Sequence, residues 1–137
     1  MWLGLKRILV YLVLVLALFA SMWASRVFAA PWIVELLITE TTVLGVVLIA
    51  ILGGLIPALP LGIAYGLLAP PPVVRKALRI ALGAAVVELA LASLSVPWWL
   101  FFTWWVLPLE CLTLVVFFSA AAWAASRWRR ARVVAPA

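Results

Sequence analysis

Glu88 stands in the middle of a long apolar run of this chain. It lies eight residues after Ile80, which at helical rise corresponds to about 12 Å into a membrane. A carboxyl at that depth is costly even when it is neutral, so such groups mostly face protein or water and mark functional sites. Glu88 is therefore a candidate proton- or cation-coupling group, and Ser119 of a later apolar run is predicted in the same layer. The other interpretation is a neutral glutamic acid that is hydrogen-bonded between helices.

The residues around Glu88 favour an inward-facing position. Ala81, Ala85, Glu88, Ala92 and Ser95 are spaced by three and four, so a helix would place all five on one stripe. Because the other four are small, this stripe is predicted to face neighbouring helices.

Arg26 and Glu110 form a second constellation. Counted at helical rise from the basic ends of their apolar runs, they lie about 27 Å and about 24 Å above the same membrane boundary. This similar depth predicts an ion pair between the first and fourth spans. Other partners for Arg26 are the acids of the outer loop, Glu35 and Glu40, or a lipid phosphate reached by snorkelling.

Small residues recur at every fourth position of the second apolar run. They are Ala50, Gly54, Ala58, Gly62 and Gly66, and they are called the small-residue ridge below. In lipid, close packing of small residues is a main source of helix association. The ridge is predicted to receive another helix, either of the same chain or of a second subunit.

The residue types that are missing exclude several kinds of site. The chain has no His, Asp, Asn or Gln, and Cys111 is its only cysteine. A lone cysteine excludes an intramolecular disulfide and a thiolate metal site, and imidazole chemistry is absent. No P-loop or dinucleotide glycine motif occurs. We therefore expect no enzyme activity, no metal and no cofactor, and Cys111 is predicted to be a packing residue.

The composition requires a membrane as solvent. Of the 137 residues, 70% are hydrophobic and only 10% are charged, whereas soluble domains are about half apolar and about a quarter charged. A spanning helix needs about 20 mostly apolar residues. Residues 1–137 are thus predicted to form a single polytopic, all-α integral membrane domain with short loops. About four spans are expected, near 8–30, 43–69, 80–96 and 104–126.

The basic residues predict the orientation. Nine of the ten fall in three clusters between or beyond the apolar runs: Lys6 and Arg7; Arg75, Lys76 and Arg79; and Arg127, Arg129, Arg130 and Arg132. Cytoplasmic segments carry the excess of Lys and Arg, so both termini are predicted in the cytoplasm. The four arginines of the third cluster also suit anionic lipid headgroups. No broad basic surface accompanies the clusters, which argues against nucleic acid.

Two features leave alternatives open. Pro57 and Pro60 lie inside the second span, which is therefore either one long kinked helix or a broken helix of the kind that lines transport sites. The first 29 residues also resemble a signal peptide, with Val27-Phe28-Ala29 as the small-residue cleavage site. Cleavage would leave three spans.

Two functions remain. The first is an accessory or assembly subunit of a larger complex in the cytoplasmic (plasma) membrane, with other membrane subunits or copies of itself as partners. Short loops, the small-residue ridge and the scarcity of polar residues within the spans favour it. The second is a small oligomeric transporter or channel that uses Glu88 as a protonatable coupling site.

Overall fold

The computed structural model describes residues 2–28, 43–95 and 104–135, apart from the side chain of Arg26. These residues form four helices and no strand. The helices are α1 (Trp2–Phe28), α2 (Val43–Leu68), α3 (Val73–Ser95) and α4 (Val106–Val134). Each is long and apolar enough to cross a membrane. The prediction of an all-helical chain with four candidate spans is confirmed.

Three of the helices extend beyond the apolar runs that predicted them. α1 and α3 begin upstream of their basic clusters, and α4 continues through the C-terminal arginines. Backbone hydrogen bonding does not require apolar side chains, so a helix continues past the membrane boundary until a residue ends it. α2 ends at Leu68, before the three consecutive prolines 70–72, which cannot extend a helix. Pro57 and Pro60 lie within α2, which is one continuous helix.

The closest packing in the described bundle joins α2 to α4. The two helices are parallel, since Gly54 lies against Glu110, Gly62 against Phe118 and Gly66 against Ala122. A Cβ atom on Gly62 would lie 2.7 Å from the Phe118 carbonyl oxygen and 2.8 Å from the Cβ of Ala121. All five residues of the small-residue ridge are buried. The ridge therefore faces α4 of the same chain and brings the two backbones together.

α1 and α3 form the second parallel pair. The Tyr11 hydroxyl donates a hydrogen bond to the Arg79 carbonyl oxygen at 2.9 Å. One turn further along, a Cβ on Gly83 would lie 2.9 Å from Cγ2 of Val15. α3 also contacts α4, whereas it touches α2 very little in the described part of the chain. Around the bundle the order is thus α1, α2, α4, α3.

The three basic clusters lie at one end of this bundle. Side chains of the first two clusters line a common cavity; they are Lys6, Arg7, Lys76 and Arg79. From the third cluster, Arg129 donates a hydrogen bond of 2.8 Å to the carbonyl oxygen of Leu67, at the end of α2. Lys76 in turn donates to the Pro70 carbonyl at 3.2 Å, just after that helix. We call this end the basic end.

Candidate functional site

Glu88 lies on the buried face of α3. Its side chain is 4% exposed, and Ala81 and Ala85 of the predicted stripe are buried with it. Ala92 is half-buried, while Ser95 is exposed and donates its hydroxyl to the Leu91 carbonyl. The stripe is thus covered from the basic end as far as Glu88 and becomes open beyond it.

A second buried carboxyl, that of Glu110, lies at nearly the same height in the bundle. The Cys111 Sγ is 4.0 Å from the Ala85 carbonyl oxygen, which aligns the antiparallel helices α3 and α4 at these two residues. On α3, Glu88 lies three residues farther from the basic end than Ala85. On α4, which runs the opposite way, Glu110 lies one residue farther from the basic end than Cys111. By helical rise, their heights differ by about 3 Å. The structure therefore places at nearly the same height two carboxyls that sequence counting placed at different depths.

Glu110 is accommodated by a glycine that the sequence analysis did not single out. The Glu110 side chain is 8% exposed, and a Cβ on Gly53 would lie 2.9 Å from its Oε1 atom. The adjacent Gly54 packs against the Glu110 carbonyl oxygen. The Gly53-Gly54 pair thus makes room for the carboxyl and the backbone of the same residue. The signal in the sequence was two adjacent glycines, of which only the second belongs to the small-residue ridge.

Both acidic residues have interaction partners. Glu88 and Glu110 each take part in a hydrogen bond or another electrostatic interaction. This is the expected state of a buried carboxyl, because an unpaired one would be strongly destabilising in a low-dielectric interior.

Ser119 lies away from Glu88. It is eight residues from Cys111 towards the basic end, whereas Glu88 lies on the other side of the aligned pair. Their heights differ by about 16 Å at helical rise. The Ser119 Oγ atom is buried and has no hydrogen-bond partner among the described residues. Ser119 therefore does not hydrogen-bond to Glu88.

The predicted ion pair between Arg26 and Glu110 involves a side chain outside the described part of the structure. The backbone of Arg26 belongs to the last turns of α1. The alternative partners Glu35 and Glu40 also lie outside the described residues. The Arg26–Glu110 pair stays a prediction.

The C-terminal arginines differ in their surroundings. Arg129 is half-buried, and its guanidinium donates to the carbonyl oxygens of Leu67 at 2.8 Å and Ala69 at 3.1 Å. It thereby satisfies carbonyls that the end of α2 leaves without helical partners, and places a cation at the negative end of that helix. The guanidinium of Arg132 lies over the ring of Trp128, 3.9 Å from its centroid.

The remaining two arginines of this cluster, Arg127 and Arg130, are exposed. The guanidinium of Arg127 lies 5.3 Å from the ring centroid of Trp123. Arg127, Arg130 and Arg132 are exposed, and their contact with anionic lipid headgroups stays a prediction. Arg129 has a structural role that the sequence analysis missed.

The described part of the chain offers buried carboxyls but no cluster of metal-ligating side chains. Among the described residues, no three His, Cys, Asp or Glu side chains come together. Two other buried polar residues use their hydroxyls locally, since Thr113 donates to the Leu109 carbonyl and Ser126 to the Trp123 carbonyl. Glu88 and Glu110 are therefore the buried carboxyls of the described interior.

Comparisons with protein-family models, with curated proteins and with solved structures find no match to this chain.

Proposed function

We propose that this chain is an accessory or assembly subunit of a larger complex in the cytoplasmic membrane, without catalytic activity of its own and without nucleic-acid binding. The observation that carries the proposal is the small-residue packing of the described interior. α2 and α4 approach so closely that Gly62 has no space for a methyl group. Such a bundle is a rigid scaffold, and a passage between these two helices would require them to separate.

The distribution of polar groups supports the same conclusion. A transport path needs polar side chains or water along its whole length, because an unpaired charge in the membrane is costly. In the described core, Glu88 and Glu110 occupy a single layer, and the hydroxyls of Thr113 and Ser126 donate to their own helix. The residues of the hydrophobic core cluster are mainly Ala, Leu and Val.

The outer surface of α1 supports a role among other membrane components. Most of the first half of this helix is exposed on all sides, including Leu5, Ile8, Leu12 and Val13. α1 contacts the bundle mainly through buried residues further along, of which Val15, Leu18 and Met22 are examples. Lipid tails or the helices of another subunit would cover the exposed apolar side chains.

The common position of the basic clusters supports an orientation with both termini in the cytoplasm. Positive residues are retained on the cytoplasmic side during insertion. We expect cysteines placed near each cluster, in Gly4→Cys, Val74→Cys and Val133→Cys, to react with a membrane-impermeant maleimide only after the cells are opened. Each is introduced into a Cys111→Ala background, because Cys111 is the only native cysteine.

The control for this topology experiment is Thr41→Cys, in the loop predicted outside, which should react in intact cells. Reaction of any of the three cluster cysteines in intact cells would contradict the orientation.

A second candidate function is a small oligomeric transporter that uses Glu88 as its coupling site. The observation that favours it is the layer of two buried carboxyls, since intramembrane acids commonly belong to proton or ion pathways. A single copy offers little room for a pathway, so this function requires several copies. The two candidates differ in whether proton movement depends on the carboxyls.

The experiment that tests the accessory function is purification of the tagged chain from its native membrane in mild detergent. We expect foreign membrane subunits in a fixed ratio to this chain, and loss of their assembly on native gels when its gene is deleted. Restoration by the wild-type gene and by a Glu88→Gln gene is expected, because assembly depends on shape. Recovery of the chain only as a homo-oligomer, with all other complexes intact in the deletion strain, would contradict the proposal.

A further inference from the structure

The bundle contains a large groove at the basic end, between α1, α2 and α3. Its volume is about 1060 Å³, compared with about 300–1,000 Å³ for pockets that hold small ligands. Four cations line its mouth: Lys6, Arg7, Lys76 and Arg79. No acidic side chain is among the described residues that line it.

Apart from Tyr11 and Tyr65, the rest of the groove is lined by apolar residues and runs deep into the bundle. On α1 the lining extends from Lys6 through Leu14 to Leu18, a distance of about 18 Å at helical rise. The hydrocarbon core of a bilayer is about 30 Å thick, so one leaflet contributes about half of that. On the opposite wall, α2 contributes Leu61 and Ala64. The groove therefore has about the depth of one leaflet, with positive charge only at its outer end.

The mouth is held in place by hydrogen bonds within the chain. The Tyr11 hydroxyl donates to the Arg79 carbonyl, which ties α1 to α3. Lys76 donates to the Pro70 and Pro71 carbonyls at 3.2 Å and 3.3 Å, so its ammonium is fixed above the groove. Lys6, Arg7 and Arg79 remain exposed. A bound anion would thus meet one fixed cation and three movable ones.

From this geometry we infer that the groove is a binding site for one anionic phospholipid of the leaflet on the basic side. Its phosphate would lie among the four cations and its acyl chains along the apolar walls. Basic pockets between membrane helices bind anionic headgroups in this way. The site is separate from the C-terminal arginines and does not depend on whether the chain belongs to a larger complex.

The experiment titrates the full, delipidated chain in detergent with dioleoylphosphatidylglycerol and counts bound lipid by native mass spectrometry. Dioleoylphosphatidylcholine is the neutral comparison. We expect one tightly held phosphatidylglycerol and weaker retention of phosphatidylcholine. Arg79→Gln should weaken phosphatidylglycerol binding about fivefold, as about 1 kcal/mol for each basic side chain implies, and Lys6→Gln combined with it about 25-fold.

The matched control removes equal charge outside the groove. Arg75 belongs to the same cluster as Arg79 and is exposed, but it does not line the cavity. Arg75→Gln should leave the binding of this phosphatidylglycerol unchanged. Equal losses for the Arg75 and Arg79 variants, or equal retention of the two lipids, would overturn the inference.

A second pair of variants tests the apolar part of the site. Ala17 is exposed and lines the groove, whereas Ala20, one turn further on the same helix, is exposed and does not. Ala17→Phe should block the acyl chains and reduce phosphatidylglycerol binding, while Ala20→Phe should not. If the Ala17 variant fails to fold, Ala64→Phe fills the same groove from α2.

Inorganic phosphate distinguishes a lipid site from a site for any phosphate. We expect millimolar phosphate not to displace the lipid, because phosphate gains nothing from the apolar walls. Displacement by phosphate, or unchanged lipid binding in the groove-filling variants, would show an anion site at the mouth and would overturn the assignment of the groove to a lipid.

Discussion

Replacing Gly62 by leucine is expected to separate α2 from α4 and to destabilise the chain by about 3 kcal/mol or more, the upper part of the usual range for overpacking. A Cβ at this position would already lie 2.7 Å from the Phe118 carbonyl oxygen. The opposing atom belongs to the backbone, so the collision cannot be relieved by a side-chain rotation. Gly62→Ala should therefore also destabilise, by about 1–3 kcal/mol.

The chain offers a matched control for this change. Gly4 is on α1, and a Cβ there would have nothing within 4 Å. Gly4→Ala and Gly4→Leu should change the free energy of unfolding by less than about 0.5 kcal/mol. Leu48→Val, on an exposed face of α2, should also be mild.

Unfolding of the purified variants in mild detergent, followed by circular dichroism, measures these differences. Because the small-residue ridge faces α4 of its own chain, the loss should appear as unfolding of the single chain and not only as dissociation of an assembly. Equal unfolding midpoints for the Gly62 and Gly4 variants would show that the close approach of α2 and α4 contributes nothing.

Glu88→Leu is expected to produce the second large loss. The carboxyl is 4% exposed and takes part in a polar interaction. Leucine cannot replace that interaction, and a polar group left unsatisfied in the interior costs about 1–3 kcal/mol. Glu88→Gln retains the shape and most of the hydrogen-bonding capacity, so it should lose little. Intramembrane hydrogen bonds average only about 0.6 kcal/mol, which sets the scale of that smaller loss.

Assembly yield and unfolding in detergent compare the two Glu88 variants with Val86→Leu, an exposed position on the same helix. A glutamine variant as unstable as the leucine variant would indicate that the negative charge itself is required, as in a buried ion pair. Unchanged assembly yield and unfolding in both variants would show that Glu88 does not contribute to the stability of the bundle.

Much of the fold was predictable because the membrane imposes length and composition on each span. The apolar runs located four helices, and the four-residue spacing of the small-residue ridge predicted a close helix contact. The identity of the contacting helix did not follow, since α3 and α4 both carry many alanines. Parallel packing of α2 on α4 depends on the fit of Gly54, Gly62 and Gly66 to the α4 backbone, which one sequence does not show.

The depth of individual residues was predicted less well. Counting from the ends of apolar runs placed Glu88 level with Ser119 and well below Glu110. In the structure Glu88 is nearly level with Glu110 instead, because α3 and α4 align at Ala85 and Cys111. Side-chain packing determines how far one helix is shifted along its axis relative to its neighbour. The ends of the apolar runs define this shift only to within several residues. The roles of Gly53 and Arg129 were missed for the same reason, because both depend on the axial shift between α2 and α4.

The claim that separates the two candidate functions, that Glu88 and Glu110 serve packing and not proton conduction, is tested most directly by proton flux in vesicles that contain the purified chain. A pH-sensitive dye inside the vesicles reports proton entry driven by a potassium diffusion potential. The wild type, Glu88→Gln and the double variant Glu88→Gln, Glu110→Gln are compared with protein-free vesicles. The account predicts the same background rate in all four, because the carboxyls serve packing and not conduction. Flux above background in the wild type that disappears in the Glu88→Gln variant, with its fold intact, would contradict it and establish a transporter.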